Sequence, residues 1–237
     1  MHRRQYSEMP TDAHLVFVPT LIEEFPRWLD YFAQHGPFNR PDQLACHRRT
    51  IERRAAHATV ASAVLDQDFV VSLYDTLKAW GLGQRRSRLR PLPEFSAALV
   101  RVLPRLQTLG GLRIDAPELD VDSAIQSIWT AVESLSVADN QAQLDAGTKT
   151  LHHVLPELVP PMDRAYTQQF FRWHNPQFQY GQEKCFRTAY AALVHVARST
   201  SPRQYVGTHP WHTSVTKVLD NALVGLVKAA QRGVITT

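Results

Sequence analysis

Apolar residues recur at helical spacing through almost the whole of this 237-residue chain, and little else so narrows what it can fold into. Pro41 opens a long helix running toward Leu65, because a first-turn residue needs no N–H partner. Asp68 is placed to cap the next helix, with Val70, Leu73, Leu77 and Trp80 as its stripe and Gly81 as its stop. Leu99, Val102, Leu103 and Leu106 form another face, with a bend expected near Pro104. Asp122 or Ser123 caps a helix that buries Ile125, Ile128, Trp129, Val132 and Leu135. A helix from about Arg164 carries Tyr166, Phe170 and Phe171. Residues 182–198 and 213–230 complete the series. Only Leu15-Val16-Phe17-Val18 and Leu112-Arg113-Ile114 look strand-like, and 10 glycines are too few for a loop-rich β fold. The expectation is an all-α protein.

Net charge is only +4, but the charges are segregated. Residues 85–113 hold seven arginines against Glu94 alone, residues 114–145 hold seven acids and no Lys or Arg, and residues 146–237 hold ten Lys/Arg against four acids. Basic surfaces set apart by an acidic segment suit a polyanion such as DNA or RNA; a solvated, charge-mixed surface accounts for the net value equally well. Arg48, Arg49, Arg53 and Arg54 mark one basic face, and Arg85, Arg86, Arg88 and Arg90 are candidate phosphate contacts in a connecting segment.

One segment, Gly147 to Asp163, carries the chemistry. Gly147-Thr148-Lys149-Thr150 follows a polar loop (136–145) and reads as a turn opening a helix, where unpaired N–H groups favour an anion. Pro160 and Pro161 fix two φ angles, so Asp163 stands at a defined place where a further helix begins. Such an aspartate is commonly an N-cap, and a capping carboxylate is also ionised and rigid.

Gly147-Thr148-Lys149-Thr150-Leu151 followed by Pro161-Met162-Asp163 resembles the helix-hairpin-helix DNA glycosylase superfamily. Thr148-Lys149-Thr150-Leu151-His152 with Pro156, Pro161 and Asp163 is also similar to small bacterial proteins of that lineage. The match covers about 30 residues. It departs from the family pattern in three ways: Leu144-Asp145-Ala146 lacks a second hairpin glycine, Lys149 and Asp163 are 14 positions apart, and the cysteines of the cluster-bearing branch are absent. The resemblance implies a helical glycosylase-like fold, two lobes flanking a cleft, as a single unit over 1–237 with its hairpin and catalytic segment at about 124–175. It implies excision of a damaged or modified base, a host lesion or a modified base of phage DNA, by base flipping and Asp-assisted hydrolysis. Asp163 would stabilise the developing oxocarbenium charge or position water. Lys149 aligns with a lysine that some relatives use for Schiff-base strand cutting, but a phosphate contact is the preferred reading, since related proteins keep a lysine without cutting strands, so a monofunctional glycosylase is expected. Gly147, Thr148 and Thr150 would hold the nucleotide chain. Trp80, Trp129, Tyr166 and Phe170 are candidate pocket walls, with Phe171 and Trp173 behind them; at helical spacing all serve equally as core.

Other classes lose ground. No P-loop, His-Glu-x-x-His, Gly-x-Ser-x-Gly or Gly-x-Gly-x-x-Gly pattern occurs. His209-Pro210-Trp211-His212 and His152-His153 invite a metal reading, but neighbours on a helix point apart and no carboxylate or cysteine sits at ligand spacing, so no metal and no cofactor is expected. Cys46 and Cys185 read as ordinary thiols. No apolar run approaches the ~20 residues of a membrane span and no signal-type core follows Met1, so a cytoplasmic protein is expected, and the resemblance implies a monomer with DNA as partner. The first dozen residues are expected to be loosely ordered. The alternatives are a non-catalytic helical DNA-binding protein and an interaction protein in which Asp163 is merely a cap.

Overall fold

The computed structural model describes residues 13–36, 38, 40–83, 88–139 and 143–235. The expectations for the first dozen residues and for Arg85 and Arg86 lie outside them. Among the described residues the protein is all-α. Its helices are α1 (Phe17–Glu23), α2 (Phe25–His35), α3 (Pro41–Ala55), α4 (Val60–Val64), α5 (Gln67–Ala79), α6 (Leu92–Leu109), α7 (Val121–Leu135), α8 (Gln143–Val154), α9 (Thr167–Phe170), α10 (Asn175–Tyr180), α11 (Gln182–Thr200) and α12 (Val215–Gln231). A 3₁₀ turn, Pro202–Tyr205, precedes α12, and an isolated bridge joins Leu89 to Ala138. No described helix is long and apolar enough to cross a membrane.

The stripes expected on α5 and α7 are the buried ones, with Trp80 half-buried just past the end of α5, and the helices expected over 182–198 and 213–230 are α11 and α12. Both expected strands are corrected. Phe17, Val18 and Leu21 bury one face of α1, because a four-residue apolar run does not separate a period of 2 from one of 3.6. Leu112-Arg113-Ile114 is irregular chain, anchored where the Ile114 amide donates to the Glu157 carbonyl at 2.9 Å. The helix expected from Pro41 to Leu65 is two helices. α3 stops at Ala55, and Thr59 starts α4 in a reciprocal capping box with Ser62. Capping falls on Asp66 rather than Asp68 for α5, and on Asp120 rather than Asp122 or Ser123 for α7. α6 continues through Pro104.

α12 lies centrally and packs along α2. They approach so closely that a Cβ on Gly225 would stand 2.0 Å from the Trp28 carbonyl oxygen. α8 packs against α7 in a similar way, with Gly147 facing Val132. Most buried apolar side chains form one cluster; a smaller one, Phe32, Trp211 and Val224, lies beside Phe38, Leu44, Trp80 and Tyr166.

Candidate active site

The site grows out of the α8 register. Asp145 and Lys149 are one turn apart on the same face, and Lys149 Nζ lies 2.7 Å from Asp145 Oδ1. Gly147 is not a hairpin turn. It lies inside α8, which starts at Gln143, and a Cβ there would meet Val132 Cγ1 at 2.7 Å. The glycine serves helix contact, and the expectation that it is a turn opening the helix is corrected. Thr148 and Thr150 are fully buried, donating back to the Leu144 and Ala146 carbonyls at 2.7 Å each, and Gly147 is buried with them.

Thr148 has a different task. Its Oγ1 accepts the Met162 amide at 3.0 Å, latching the chain that returns from α8. His152 Nδ1 meets the Val159 carbonyl at 3.1 Å and the Tyr190 hydroxyl donates to the Leu158 carbonyl at 3.2 Å. With Pro160 and Pro161 stiffening it, this return sets Asp163 beside Lys149, Oδ2 to Nζ 3.8 Å. The other carboxylate oxygen accepts the Tyr166 amide at 2.8 Å, and the Asp163 amide donates to Thr167 Oγ1 at 3.0 Å. Asp163 is thus a cap, as its position suggests, but of a turn leading into the four-residue α9 rather than of a helix from Arg164. Its side chain keeps 23 % of its accessible surface.

That surface opens into a recess shared with Lys149, Lys217, Asp220, Trp80, Trp211, Phe38, Gln43 and Pro161. The space open to water is about 50 Å³, enough for a few waters. Lys217, on α12, is ion-paired to Asp220, and its ammonium stands 4.7, 5.2 and 5.4 Å from the ring centres of Phe38, Trp211 and Trp80. Trp80 Nε1 and Gln43 Oε1, both in this lining, are buried without a hydrogen-bond partner among the described residues.

The charges here shape one another. Burial pulls the Lys149 ammonium toward losing its proton, but the charges of Asp145 and Asp163 outweigh it and raise its pKa above the ordinary lysine value. Burial raises Asp145 above the usual carboxylate range, beyond what Lys149 offsets, and the charge of Asp163 adds to the rise. Asp220 is raised for the same first reason, against the pull of Lys217. Burial, then Asp163 and Asp220, push the Tyr166 phenol up to about 12.

Of the residues expected from sequence, Asp163, Lys149 and Trp80 meet in this recess. Tyr166 stands at its edge, 6.3 Å from Phe38 ring to ring. Trp129 and Phe170 do not line it: Trp129 packs on Phe186, and Phe170 on Phe17 and Phe171, all within the main core. Arg88 and Arg90 are elsewhere too. Arg88 is exposed, while Arg90 reaches Glu94 and Asp139 at 3.7 and 3.8 Å. The α3 arginines are likewise engaged: Arg53 pairs with Asp68 at 3.1 Å, and Arg54 donates to the Val154 carbonyl at 2.8 Å.

Sequence reading missed Lys217, Asp220, Trp211, Phe38 and Gln43. Lys217 and Asp220 left one faint signal, charges three apart on a helix that is otherwise apolar nearly all round. The His152-His153 expectation also needs correction. Although adjacent, the two rings sit 5.0 Å apart and both contact His47 of α3, at 5.7 and 5.1 Å. The partner that joins them is more than a hundred residues away in sequence. Trp80 and Trp211, walls of the recess, also pack on His47, at 5.2 and 5.5 Å. The chain matches no protein-family model, no curated protein and no solved structure.

Proposed function

We propose that this protein is a DNA glycosylase that excises a damaged or modified base by hydrolysis, with Asp163 as the catalytic carboxylate in a helical glycosylase-like fold of two lobes flanking a cleft. The observation that carries the reading is the fixed Asp163–Lys149 pair at the mouth of an aromatic recess. Cleaving an N-glycosidic bond builds positive charge on the sugar. A carboxylate with one oxygen tied to a backbone amide and the other turned to a partly dry recess can stabilise that charge without reorganising. Trp80, Trp211 and Phe38 offer flat faces to an extruded base. The recess in its present form takes water rather than a base, so Lys217 or an indole must move aside on binding.

Lys149 favours hydrolysis over strand cutting. A Schiff base requires a neutral amine, and Asp145 and Asp163 hold this one as an ammonium. In that role it screens the Asp163 carboxylate and contacts DNA at most through charge.

The test is release of bases from genomic DNAs that differ in base modification, scored as abasic sites. The wild-type protein should release a base from at least one of them, leaving the strand intact, and Asp163→Asn should bind the same DNA without releasing it. Undiminished release by Asp163→Asn would remove the catalytic assignment. Salt-sensitive DNA binding without release from any DNA would favour the non-catalytic DNA-binding reading.

A further inference from the structure

We propose that His47, His152 and His153 bind a single transition-metal dication of the zinc class, tying α3 to α8. All three side chains are fully buried, and one ligand nitrogen from each lies within 4.8 Å of the others. The remaining nitrogens are already engaged. His153 Nδ1 meets the Lys149 carbonyl at 2.8 Å, and His152 Nδ1 meets the Val159 carbonyl and Thr216 Oγ1, each at 3.1 Å. A carbonyl only accepts, so both imidazoles carry their proton on Nδ1 and present a lone pair at Nε2. His47 Nε2 lies 2.8 Å from Thr213 Oγ1, which accepts or donates, so His47 can turn its Nδ1 lone pair to the same centre. Outer partners that fix the tautomer in this way are what metal-bound histidines use.

The hydrogen bonds of the trio alone leave a deficit. His47 Nδ1 and His153 Nε2 are 3.0 Å apart and satisfy each other when His47 donates. His152 Nε2 is then a buried acceptor with no partner among the described residues. Such an atom is costly to leave unpaired, and an ion shared by all three satisfies it. Two imidazole nitrogens on a tetrahedral zinc stand about 3.3 Å apart, given bonds of about 2.0–2.1 Å. One pair is already close to that, and the third ring has to swing inward. The donors are all nitrogen, which selects zinc, cobalt, nickel or copper over the oxygen-seeking magnesium and calcium. The nearby Lys217 charge is offset by its pairing with Asp220. With three protein ligands, the fourth position is left to solvent or an anion.

The experiment uses the full chain, free of any affinity tag and stripped with a chelator. Cobalt(II) titration should give visible d–d absorption saturating at one equivalent, displaced by one equivalent of zinc(II). X-ray absorption of the zinc form should show three imidazole nitrogens at about 2.0–2.1 Å. His152→Ala, which leaves the His47–His153 contact in place, should abolish stoichiometric binding while keeping the helical circular dichroism; His195→Ala on the surface of α11 should bind as wild type. No saturable cobalt spectrum, a zinc shell without imidazole, or full binding by His152→Ala would each overturn the assignment. If His152→Ala does not fold, the wild-type titration and absorption spectrum decide the matter alone.

Discussion

The Thr148 hydroxyl accepts the Met162 amide at 3.0 Å, and this bond fixes the residue immediately before Asp163 to the middle of α8. Both groups are buried, so an isosteric Thr148→Val leaves an amide without a partner. The expected loss is about 1–3 kcal/mol in urea unfolding. Thr148→Ser keeps the acceptor and should lose less than half as much. Base release should fall further for Val than stability alone explains, because Asp163 is then free to drift from its position. Equal stability of the Val and Ser variants would show that the hydroxyl is not the latch.

Lys149 is the counter-charge for two carboxylates at once. Lys149→Met removes it and leaves Asp145 and Asp163 facing each other, partly dehydrated, with less compensation. Breaking such a pair from one side costs about 3–5 kcal/mol when fully buried, and less here because the three side chains keep 11–23 % of their surface. About 2 kcal/mol of destabilisation is expected, with roughly half recovered in the Lys149→Met/Asp145→Asn double variant. A double variant no more stable than Lys149→Met would mean that Asp145 is not the strained partner.

The long helices α5, α6, α7, α11 and α12 were legible from apolar faces repeated over three turns or more, whereas the caps of α5 and α7 fall earlier than the residues the sequence offered. Ile125, Ile128, Trp129, Val132 and Leu135 of α7 are all buried, as their spacing demands. The start of α8 was not legible. Gln143-Leu144-Asp145 has too little apolar content to announce a helix, and Gly147 is the residue type that ordinarily marks a turn. It stands there because Val132 occupies the space of a side chain, a fact about another helix. Lys149 and Asp163 were visible as a motif. Lys217, Trp211 and His47 reach the same region only through the packing of α12, the loop before it and α3, and no local pattern encodes that.

Gly147→Ala separates the packing role from a DNA-binding one. Alanine is the better helix former by about 1 kcal/mol, so a solvent-facing glycine in α8 would gain stability. At this position the new methyl meets Val132 Cγ1 at 2.7 Å, and overpacking of about 1–3 kcal/mol should win. Val132→Ala in the same chain should relieve the clash, so the pair should be less damaging than the sum of the single changes. Stability unchanged by Gly147→Ala, with DNA affinity lowered, would restore the glycine to a phosphate-binding role.

Stability should fall in mild acid, and the histidines set the window. Burial holds His47 and His152 well below the ordinary value of 6.5, and brings His153 and His212 down to about 4. Below pH 6.5 the unfolded chain therefore binds protons that the folded one refuses. The stability these groups support is present above pH 6.5 and is lost as pH falls toward 4, with each contributing up to about 1.4 kcal/mol per unit. Asp145 and Asp220 work in the opposite sense. Burial raises them above 3.8, so the folded state takes up their protons first and regains stability just above that value. His209 is lowered as well, and Asp66, Asp115 and Asp120 are held below the ordinary carboxylate value, so five imidazoles and three carboxylates against these two leave a net loss. In chelator, the urea midpoint should be nearly flat from pH 8 to 7 and drop steadily from 6.5 to 5. His153→Gln should flatten that drop, since it removes one refused proton. A midpoint that holds level between pH 7 and 5 would mean that the trio is protonated in the folded protein and that its rings are not the dry, neutral cluster described above.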